Sequence, residues 1–356
     1  RTTGSRFRVG ICMHRSSVLR HLLAALAASA LAACAAPGSS AAPRAAYSFG
    51  VWGDMPYAKA GDHAKMPALL DSLNASDIAF SIYDGDIKDG SSPCTDATFS
   101  DALTMFNSLR QPVVYVPGDN EWTDCHRLNN ASMDPLERLA YLRRVMYPTA
   151  NSLGQTTLPL QHQGALGQKF VENTRFSYGG VVFAGLNMPG SNNNLVDGAR
   201  QCSLFSARTS AQCDAANAEY QERDAANVAW MQAAFAQARA QQAVAVVLVV
   251  QADPGFDLPE TEALDESTLP EYSGYRHFMR ELAQQTRQFA GQVLFVHGDT
   301  HFFKLDKPLN SPTDVLPNFT RLQTFGSPSI HWVKVHVDPT SANVFQVEPV
   351  MVKQPR

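Results

Sequence analysis

The sequence has little of what a nucleic-acid-binding protein needs. Its 356 residues carry 29 Lys and Arg against 33 Asp and Glu, a formal net charge of −4, and no basic stripe stands out to neutralise phosphates. Low-complexity and collagen-like bias are also absent, with only 22 Gly and 21 Pro. Hydrophobic residues make up 45%, so we expect a globular chain that buries a full-sized core.

The sequence also contains no Cys-x-x-Cys pair, which argues against a structural zinc site, the competing interpretation of its cysteines. Two of the six cysteines lie within the first 34 residues. The other four are an even number, as expected for disulfides in an oxidising compartment. Of the three possible pairings, we favour Cys202–Cys213, which are close in sequence and share one polar insertion, and with it Cys94–Cys125.

The N-terminal segment has no acidic residue. Residues 1–33 hold five arginines, and the apolar run over 22–30 is too short to span a bilayer of about 30 Å. The run leads into Leu31-Ala32-Ala33-Cys34, which resembles the lipobox of bacterial lipoprotein signal peptides. That resemblance implies export and lipidation of Cys34; an ordinary secretory signal cleaved nearby is the alternative.

These features predict three regions. We expect a leader with a lipoprotein signal peptide over 1–33, a flexible tether of small and proline residues over 34–46, and one folded domain over 47–350. The expected location is the bacterial cell envelope. There a lipid anchor would hold the domain on the membrane, facing the periplasm or the cell surface.

From residue 47 onward, apolar runs alternate with amphipathic stretches, which predicts an α/β fold. The predicted strands are 47–53, 78–84, 112–117, 176–186, 243–250, 293–297, 322–325 and 331–337. The predicted helices are 63–74, 96–109, 135–146, 219–240 and 270–289. The strand-rich tail over 322–349 indicates a second, more antiparallel sheet, and residues 190–217 indicate a surface excursion.

Acidic residues end four of the predicted strands. Each follows a glycine, in the pairs Gly53-Asp54, Gly85-Asp86, Gly118-Asp119 and Gly298-Asp299. The carboxyl ends of neighbouring parallel strands meet at one crevice, so we expect these four carboxylates to converge. Converging carboxylates repel one another, and a divalent cation removes that conflict.

The order Gly-Asp-x-Pro, Asp-Gly-Asp, Pro-Gly-Asp-Asn-Glu and His-Gly-Asp-Thr-His resembles the calcineurin-like metallophosphoesterase superfamily, over roughly residues 47–305. The resemblance implies two packed mixed β-sheets flanked by helices, an αββα sandwich, with two metal ions at the strand ends. It further implies hydrolysis of a small phosphate monoester or diester by a metal-activated hydroxide.

The resemblance carries over to individual metal ligands. Asp54, Asp86 and His301 match ligands of the superfamily pattern, whereas Asp119 and Asp299 stand where the pattern has Asn and His. The superfamily pattern has a further histidine near Gln251 and Asp253. The sequence leaves open which of these two residues occupies its position. Oxygen thus replaces imidazole repeatedly, which favours Mg or Mn, with Ca, Zn or Fe as other possibilities.

The catalytic positions depart from the pattern in the same way. Asn120 stands where the superfamily has the histidine that assists the leaving group, while Glu121 keeps the acid that supports it. His126, six residues after Asn120, is a candidate replacement that a Cys94–Cys125 bridge would hold in place. A non-catalytic metal- or ligand-binding lipoprotein with the same fold is therefore the alternative function. The sequence predicts no oligomeric state.

Overall fold

The computed structural model describes residues 44–256, 266–311 and 314–354. The expected leader, the lipidation candidate Cys34 and most of the expected tether lie outside the described residues. No helix within the described ranges is long and apolar enough to cross a membrane.

Short strands follow the apolar runs of the sequence. The strands of the described residues are β1 (Tyr47–Trp52), β2 (Ser81–Tyr83), β3 (Val113–Tyr115), β4 (Gln161–His162), β5 (Thr174–Tyr178), β6 (Val181–Gly185), β7 (Ala245–Val249), β8 (Gln292–His297), β9 (Lys304–Asp306), β10 (Asn310–Ser311), β11 (Asp314–Val315), β12 (Phe319–Gln323), β13 (Trp332–Val337) and β14 (Phe345–Val350).

Helices occupy the amphipathic stretches between the strands. They are α1 (Met66–Ala75), α2 (Asp96–Asn107), α3 (Pro135–Val145), α4 (Gly190–Asn193), α5 (Gly198–Ser203), α6 (Ser210–Ala240) and α7 (Arg276–Arg287). The short α4 is a left-handed turn, since φ is +52° at Ser191 and +54° at Asn192. The long α6 begins with a capping box between Thr209 and Gln212, nine residues earlier than the sequence predicted.

Two mixed sheets form the centre of the fold. The first has the strand order β14-β13-β1-β2-β3, in which β1, β2 and β3 are parallel. The second has the order β4-β5-β6-β7-β8-β12-β9, in which β6, β7, β8 and β12 are parallel. The parallel strands of each sheet direct their carboxyl ends to one edge, and that edge carries the candidate site.

Alternating side chains explain why the sheets pack as a sandwich. In β7, Ala245, Val247 and Val249 belong to the core between the sheets, which also contains Phe49 and Val51 of β1. The intervening side chains of β7 face the second helical layer instead, with residues of α6 and α7. A third core lies between the first sheet and helices α1, α2 and α3. The predicted αββα arrangement is confirmed.

Two details of the predicted strands are wrong. Residues 176–186 are not one strand, because Gly179 and Gly180 adopt φ of +53° and +88° and turn the chain into the β5–β6 hairpin. The tail does not form a separate antiparallel sheet either. Strand β12 pairs parallel to β8, whereas β13 pairs antiparallel to β1, so the tail contributes to both sheets.

Both predicted disulfides are confirmed. Cys94 pairs with Cys125, and Cys202 pairs with Cys213. The first bridge joins the loop after β2 to the loop after β3, and the second closes the excursion between α5 and α6. Closing a loop in this way stabilises a fold mainly by restricting the unfolded chain.

Candidate metal centre

Four sheet strands deliver the acidic residues that the sequence singled out. β1 leads into Asp54, β2 into Asp86, β3 into Asp119 and β8 into Asp299. Left-handed backbone occurs at several of these turns, with φ of +51° at Asp54, +64° at Asp86, +74° at Asp299 and +66° at His301. Such conformations cost non-glycine residues about 1–2 kcal/mol each and cluster at functional sites.

Asp54 lies at the junction between the two sheets. Its carboxylate accepts hydrogen bonds of 3.1 and 3.2 Å from the backbone N–H of Asp299. Its Oδ1 lies 3.5 Å from Nε2 of His301, whose other ring nitrogen is 2.8 Å from the Ser327 carbonyl. Burial of the ring lowers the pKa of His301, but the hydrogen bond of the ring to the Asp54 carboxylate and the charge of that carboxylate outweigh burial, so the pKa is raised.

Asp86 is held by Asn120 and by a tyrosine that the sequence reasoning did not single out. Oδ1 of Asp86 accepts from the Asn120 backbone at 3.0 Å, and Oδ2 accepts from the Asn120 side chain at 2.5 Å. The Tyr57 hydroxyl donates to the same Oδ2 at 3.0 Å and lies 3.3 Å from Nε2 of His301. The Tyr57 hydroxyl therefore stands between the Asp86 and His301 side chains.

Asp119 and Asp299 approach each other above the backbone of Gly190. A Cβ added at Gly190 would lie 2.7 Å from Oδ2 of Asp119 and 3.0 Å from Oδ1 of Asp299, so only glycine leaves this space open. The Ser191 hydroxyl contacts Oδ2 of Asp119 at 2.8 Å and Oδ1 of Asp124 at 2.7 Å. The two aspartates thus face one crevice.

Several carboxylates lie close together in the crevice, and this raises their pKa values. Burial, and then the charge of Asp119, raise the pKa of Asp86 and of Asp299 well above the ordinary value. Burial also raises the pKa of Asp54. For Asp124, burial and Asp119 raise the pKa to about 8. Each shift has the direction expected when carboxylates share a buried site without a counter-ion.

Apart from His301 beside Asp54, basic side chains of the described residues do not pair with these acids. Across residues 44–256, 266–311 and 314–354, no arginine or lysine forms an ion pair within 4.0 Å of Asp54, Asp86, Asp119 or Asp299. Lys88 is buried nearby, but its ammonium donates to the Asp89 carbonyl at 2.8 Å. Burial lowers the pKa of Lys88, whereas the charges of Asp86 and Glu121 act in the opposite direction.

The donor set fits a hard divalent cation in charge and in chemistry. Within the described part of the chain, no group of three or more His, Cys, Asp or Glu side chains is arranged so that it could hold a metal ion. The acids instead alternate with hydroxyl and amide groups of Tyr57, Asn120 and Gln251. Mixed carboxylate, carbonyl and hydroxyl oxygens suit Mg, Mn or Ca.

Two predicted site residues lie behind the crevice and position its loops. Oε1 of the fully buried Glu121 accepts from the backbone of Gly118 at 2.7 Å and from the Tyr115 hydroxyl at 2.8 Å. Gln251 accepts from the backbone of Gly190 at 2.5 Å and donates to Asp299 at 3.3 Å. Of the two residues whose register was open, Gln251 therefore reaches the crevice with its side chain.

Asp253, the other residue of that pair, takes a different role. Its backbone N–H donates to Asp299 at 3.1 Å, while its side chain accepts from the backbone of Gly255 at 3.0 Å and lies 3.9 Å from Arg321. Its carboxylate is thus engaged in a turn and a buried ion pair.

His126 lies beside the crevice, on the wall of a neighbouring cavity. It ends the single 3₁₀ turn Thr123–His126, and the Cys94–Cys125 bridge fixes the residue before it. Burial and the charges of Arg208 and Arg127 lower the pKa of His126 to about 3. The imidazole is therefore neutral at pH 7.

The sequence contained a signal for Tyr57 that went unused. Tyr57 stands three residues after Asp54, in Gly-Asp-Met-Pro-Tyr, where a short turn returns the side chain to the strand end. Ser191 and Gly190 had no comparable signal, because they come from an insertion whose path depends on tertiary packing.

Two packed mixed sheets, flanked by helices and carrying acidic residues at the parallel strand ends, define the calcineurin-like metallophosphoesterase fold. Among solved structures, the alignment with PhoD covers 86% of this chain and 70% of the PhoD chain, at a TM-score of 0.52 and 12% sequence identity. This likeness shows the fold.

Two other solved structures align less closely. The alignment with the sulfate thiohydrolase SoxB of Thermus thermophilus covers 82% of this chain and 43% of the SoxB chain, at 15% sequence identity and a TM-score of 0.41. The alignment with the 5'-nucleotidase of Candida albicans covers 87% of this chain and 53% of the nucleotidase chain, at 12% sequence identity and a TM-score of 0.43. No protein-family model matches the chain, and no curated protein matches its sequence.

Proposed function

We propose that the chain is an exported, divalent-cation-dependent phosphoesterase that hydrolyses a phosphate monoester or diester. The observation that carries this proposal is the meeting of four buried aspartates in one crevice, where no arginine or lysine of the described residues pairs with them. A divalent cation bound among these carboxylates would remove their mutual repulsion. The metallophosphoesterase-like fold supports the same reaction class.

The cations would be held by Asp54, Asp86 and His301 on one side and by Asp119 and Asp299 on the other. A bound cation supplies Lewis-acid stabilisation of negative charge on phosphoryl oxygens. The chain's own groups bind and orient the substrate. In the hydrolysis a water oxygen bonds to phosphorus, the ester P–O bond breaks, and the departing oxygen takes a proton.

Asn120 and Tyr57 are the neutral donors that face this chemistry. The Asn120 amide lies 3.2 Å from the Tyr57 hydroxyl, and both contact Asp86. Burial and the charge of Asp86 raise the pKa of Tyr57, so its hydroxyl keeps its proton and donates a hydrogen bond. Because these protons are directed at Asp86 and at the Tyr57 oxygen, the two groups would hold the Asp86 carboxylate in position for the cation.

A specific observation favours the second candidate, a non-catalytic metal- or ligand-binding lipoprotein. The superfamily's leaving-group histidine is Asn120 here, and the neutral His126 has no proton to deliver at pH 7. The retained carboxylates would then serve binding alone. This alternative shares the cation site with the main proposal and differs only in turnover.

Export is part of the proposal and rests on the cysteines. Both disulfides suit an oxidising compartment. Anchoring through Cys34 would place the domain on a membrane of the cell envelope. Mass spectrometry of the protein from its own host tests the anchor, since acylation of Cys34 is expected and an unmodified N-terminus refutes it.

Turnover separates the two functions. The chelator-treated protein is assayed with aryl phosphate monoesters and diesters after addition of Mg, Mn, Ca or Zn. We expect cation-dependent hydrolysis that falls at least a hundredfold in Asp86→Asn and is unchanged in Asp101→Asn, an exposed aspartate of α2. Tight cation binding without hydrolysis of any ester establishes the binding protein instead.

A further inference from the structure

A cavity of about 870 Å³ adjoins the aspartate crevice. Asp299 lines one end, and Asp124 and Ser191 line the wall. Because the Ser191 hydroxyl joins Asp124 to Asp119, the cavity continues directly from the crevice. Such a volume is that of a pocket for a small organic ligand.

Exposed apolar side chains collect around this cavity. Among the described residues, seven large hydrophobic side chains are exposed, and three of them line the cavity: Leu128 (64% exposed), Leu204 (39%) and Phe205 (73%). Leu195 and Tyr275 line it as well. Single exposed apolar residues need no explanation, but a cluster of them at a concave site indicates a binding surface.

The two loops that carry the apolar residues are tied to the fold and to each other. Cys94–Cys125 anchors the loop of Leu128, and Cys202–Cys213 anchors the loop of Phe205. The backbone N–H of Leu128 donates to the Phe205 carbonyl at 2.9 Å. The apolar wall is therefore formed before a ligand arrives, which reduces the entropy cost of binding.

The cavity is lined by charges of both signs, four carboxylates and the guanidinium groups of Arg127 and Arg208. Arg127 pairs with Asp124 at 2.6 Å, and Arg208 donates to the backbone carbonyls of Cys202 and Gln201 at 3.2 Å each. No carboxylate of the described residues pairs with Arg208. A guanidinium of this kind binds phosphoryl or carboxylate oxygens well.

We propose that this cavity binds the organic group of the substrate, and that this group is apolar, an aryl group or an alkyl chain attached to phosphate. The preferred substrate is thus an amphipathic phosphoester and not a sugar phosphate. The inference rests on the proposed function only for the position of the phosphate at the aspartates. Apolar contact with Phe205 and Leu204 determines the specificity.

Binding of phosphonates tests the proposal without turnover, because their C–P bond is not hydrolysed. The probes are naphthylmethylphosphonate and methylphosphonate, titrated calorimetrically into the protein in the presence of Mn²⁺. We expect the naphthyl compound to bind at least tenfold more tightly, and Phe205→Ser to remove most of that preference. The matched control is Met351→Ser, another exposed apolar residue, outside the cavity lining (61% exposed).

Phosphate ester hydrolysis then separates this inference from the proposed function. Equal binding of the two phosphonates, or a preference that Phe205→Ser leaves unchanged, overturns the inference even when esters are hydrolysed. A naphthyl preference that depends on Phe205 in a protein that hydrolyses no ester supports the inference and refutes the phosphoesterase. Failure of both probes to bind also overturns the inference.

Discussion

Replacing Asp119 by asparagine should stabilise the protein in the absence of metal. Asp119 is the charge that raises the pKa of Asp86, of Asp299 and of Asp54, after burial itself. Its own carboxylate accepts from the Ser191 hydroxyl, which can equally accept from an asparagine amide. The substitution therefore removes repulsion and keeps the local hydrogen bond.

The geometry above Gly190 sets the size of the effect. The closest oxygens of Asp119 and Asp299 are less than about 6 Å apart, where two unit charges repel by roughly 3 kcal/mol at an effective dielectric constant of about 20. The raised pKa values of Asp86 and Asp299 favour their neutral forms, which reduces this repulsion. We therefore expect Asp119→Asn to gain about 1–3 kcal/mol, or roughly 2–6 °C in Tm.

Urea denaturation in chelator at pH 7, with thermal melts beside it, measures this gain. Asp101→Asn serves as the control, and as an exposed aspartate it should change the free energy of unfolding by less than about 0.5 kcal/mol. The gain should shrink when Asp299→Asn is already present, because the repelling partner is gone. A loss of stability in Asp119→Asn refutes the reasoning.

Three further predictions follow from the same contacts. The pKa of Asp124 is raised to about 8, so above pH 4 the folded chain binds more protons than the unfolded chain. The chelated protein should therefore lose stability as the pH rises from 5 to 8. In urea titrations at several pH values, Asp124→Asn should make this dependence of stability on pH flatter. Tyr57→Phe should weaken Mn²⁺ binding about tenfold by calorimetry, because the hydroxyl holds the Asp86 carboxylate, while stability in chelator changes by under about 1.5 kcal/mol. Unchanged affinity excludes this positioning role of the hydroxyl. Arg143→Met should lower the free energy of unfolding by about 3–5 kcal/mol, because it leaves the buried Glu172 carboxylate without its ion-pair partner. Urea denaturation measures this, and a decrease of less than about 1 kcal/mol contradicts the prediction.

The sequence predicted the layers of the fold because its strands are buried on both faces. Continuous apolar runs such as β7 can lie only inside a helix-covered sheet. Sheet membership of β12 and β13 was not predictable in the same way. Both strands have similar apolar patterns, and their separation into two sheets depends on which neighbouring edge each can reach.

The candidate site was predictable to the extent that it is made by strand ends. Parallel strands β1, β2 and β3 bring Asp54, Asp86 and Asp119 to one sheet edge. Asp299 follows β8 of the second sheet and reaches them only through the packing of the two sheets. The excursion that brings Ser191 and Phe205 to the site has no such constraint. Its left-handed turn and its contacts with other loops are tertiary features without a periodic pattern in the sequence.

Counting bound Mn²⁺ by electron paramagnetic resonance addresses the cation site most directly. Free Mn²⁺ gives a sharp signal that disappears on binding, so titration of chelator-treated protein yields the number of sites and their affinity. We predict saturable binding, at most two ions per chain, that is lost or greatly weakened in Asp86→Asn. A wild-type titration in which all added Mn²⁺ stays free, with Mg²⁺, Ca²⁺ and Zn²⁺ equally without effect on Tm, would contradict the account.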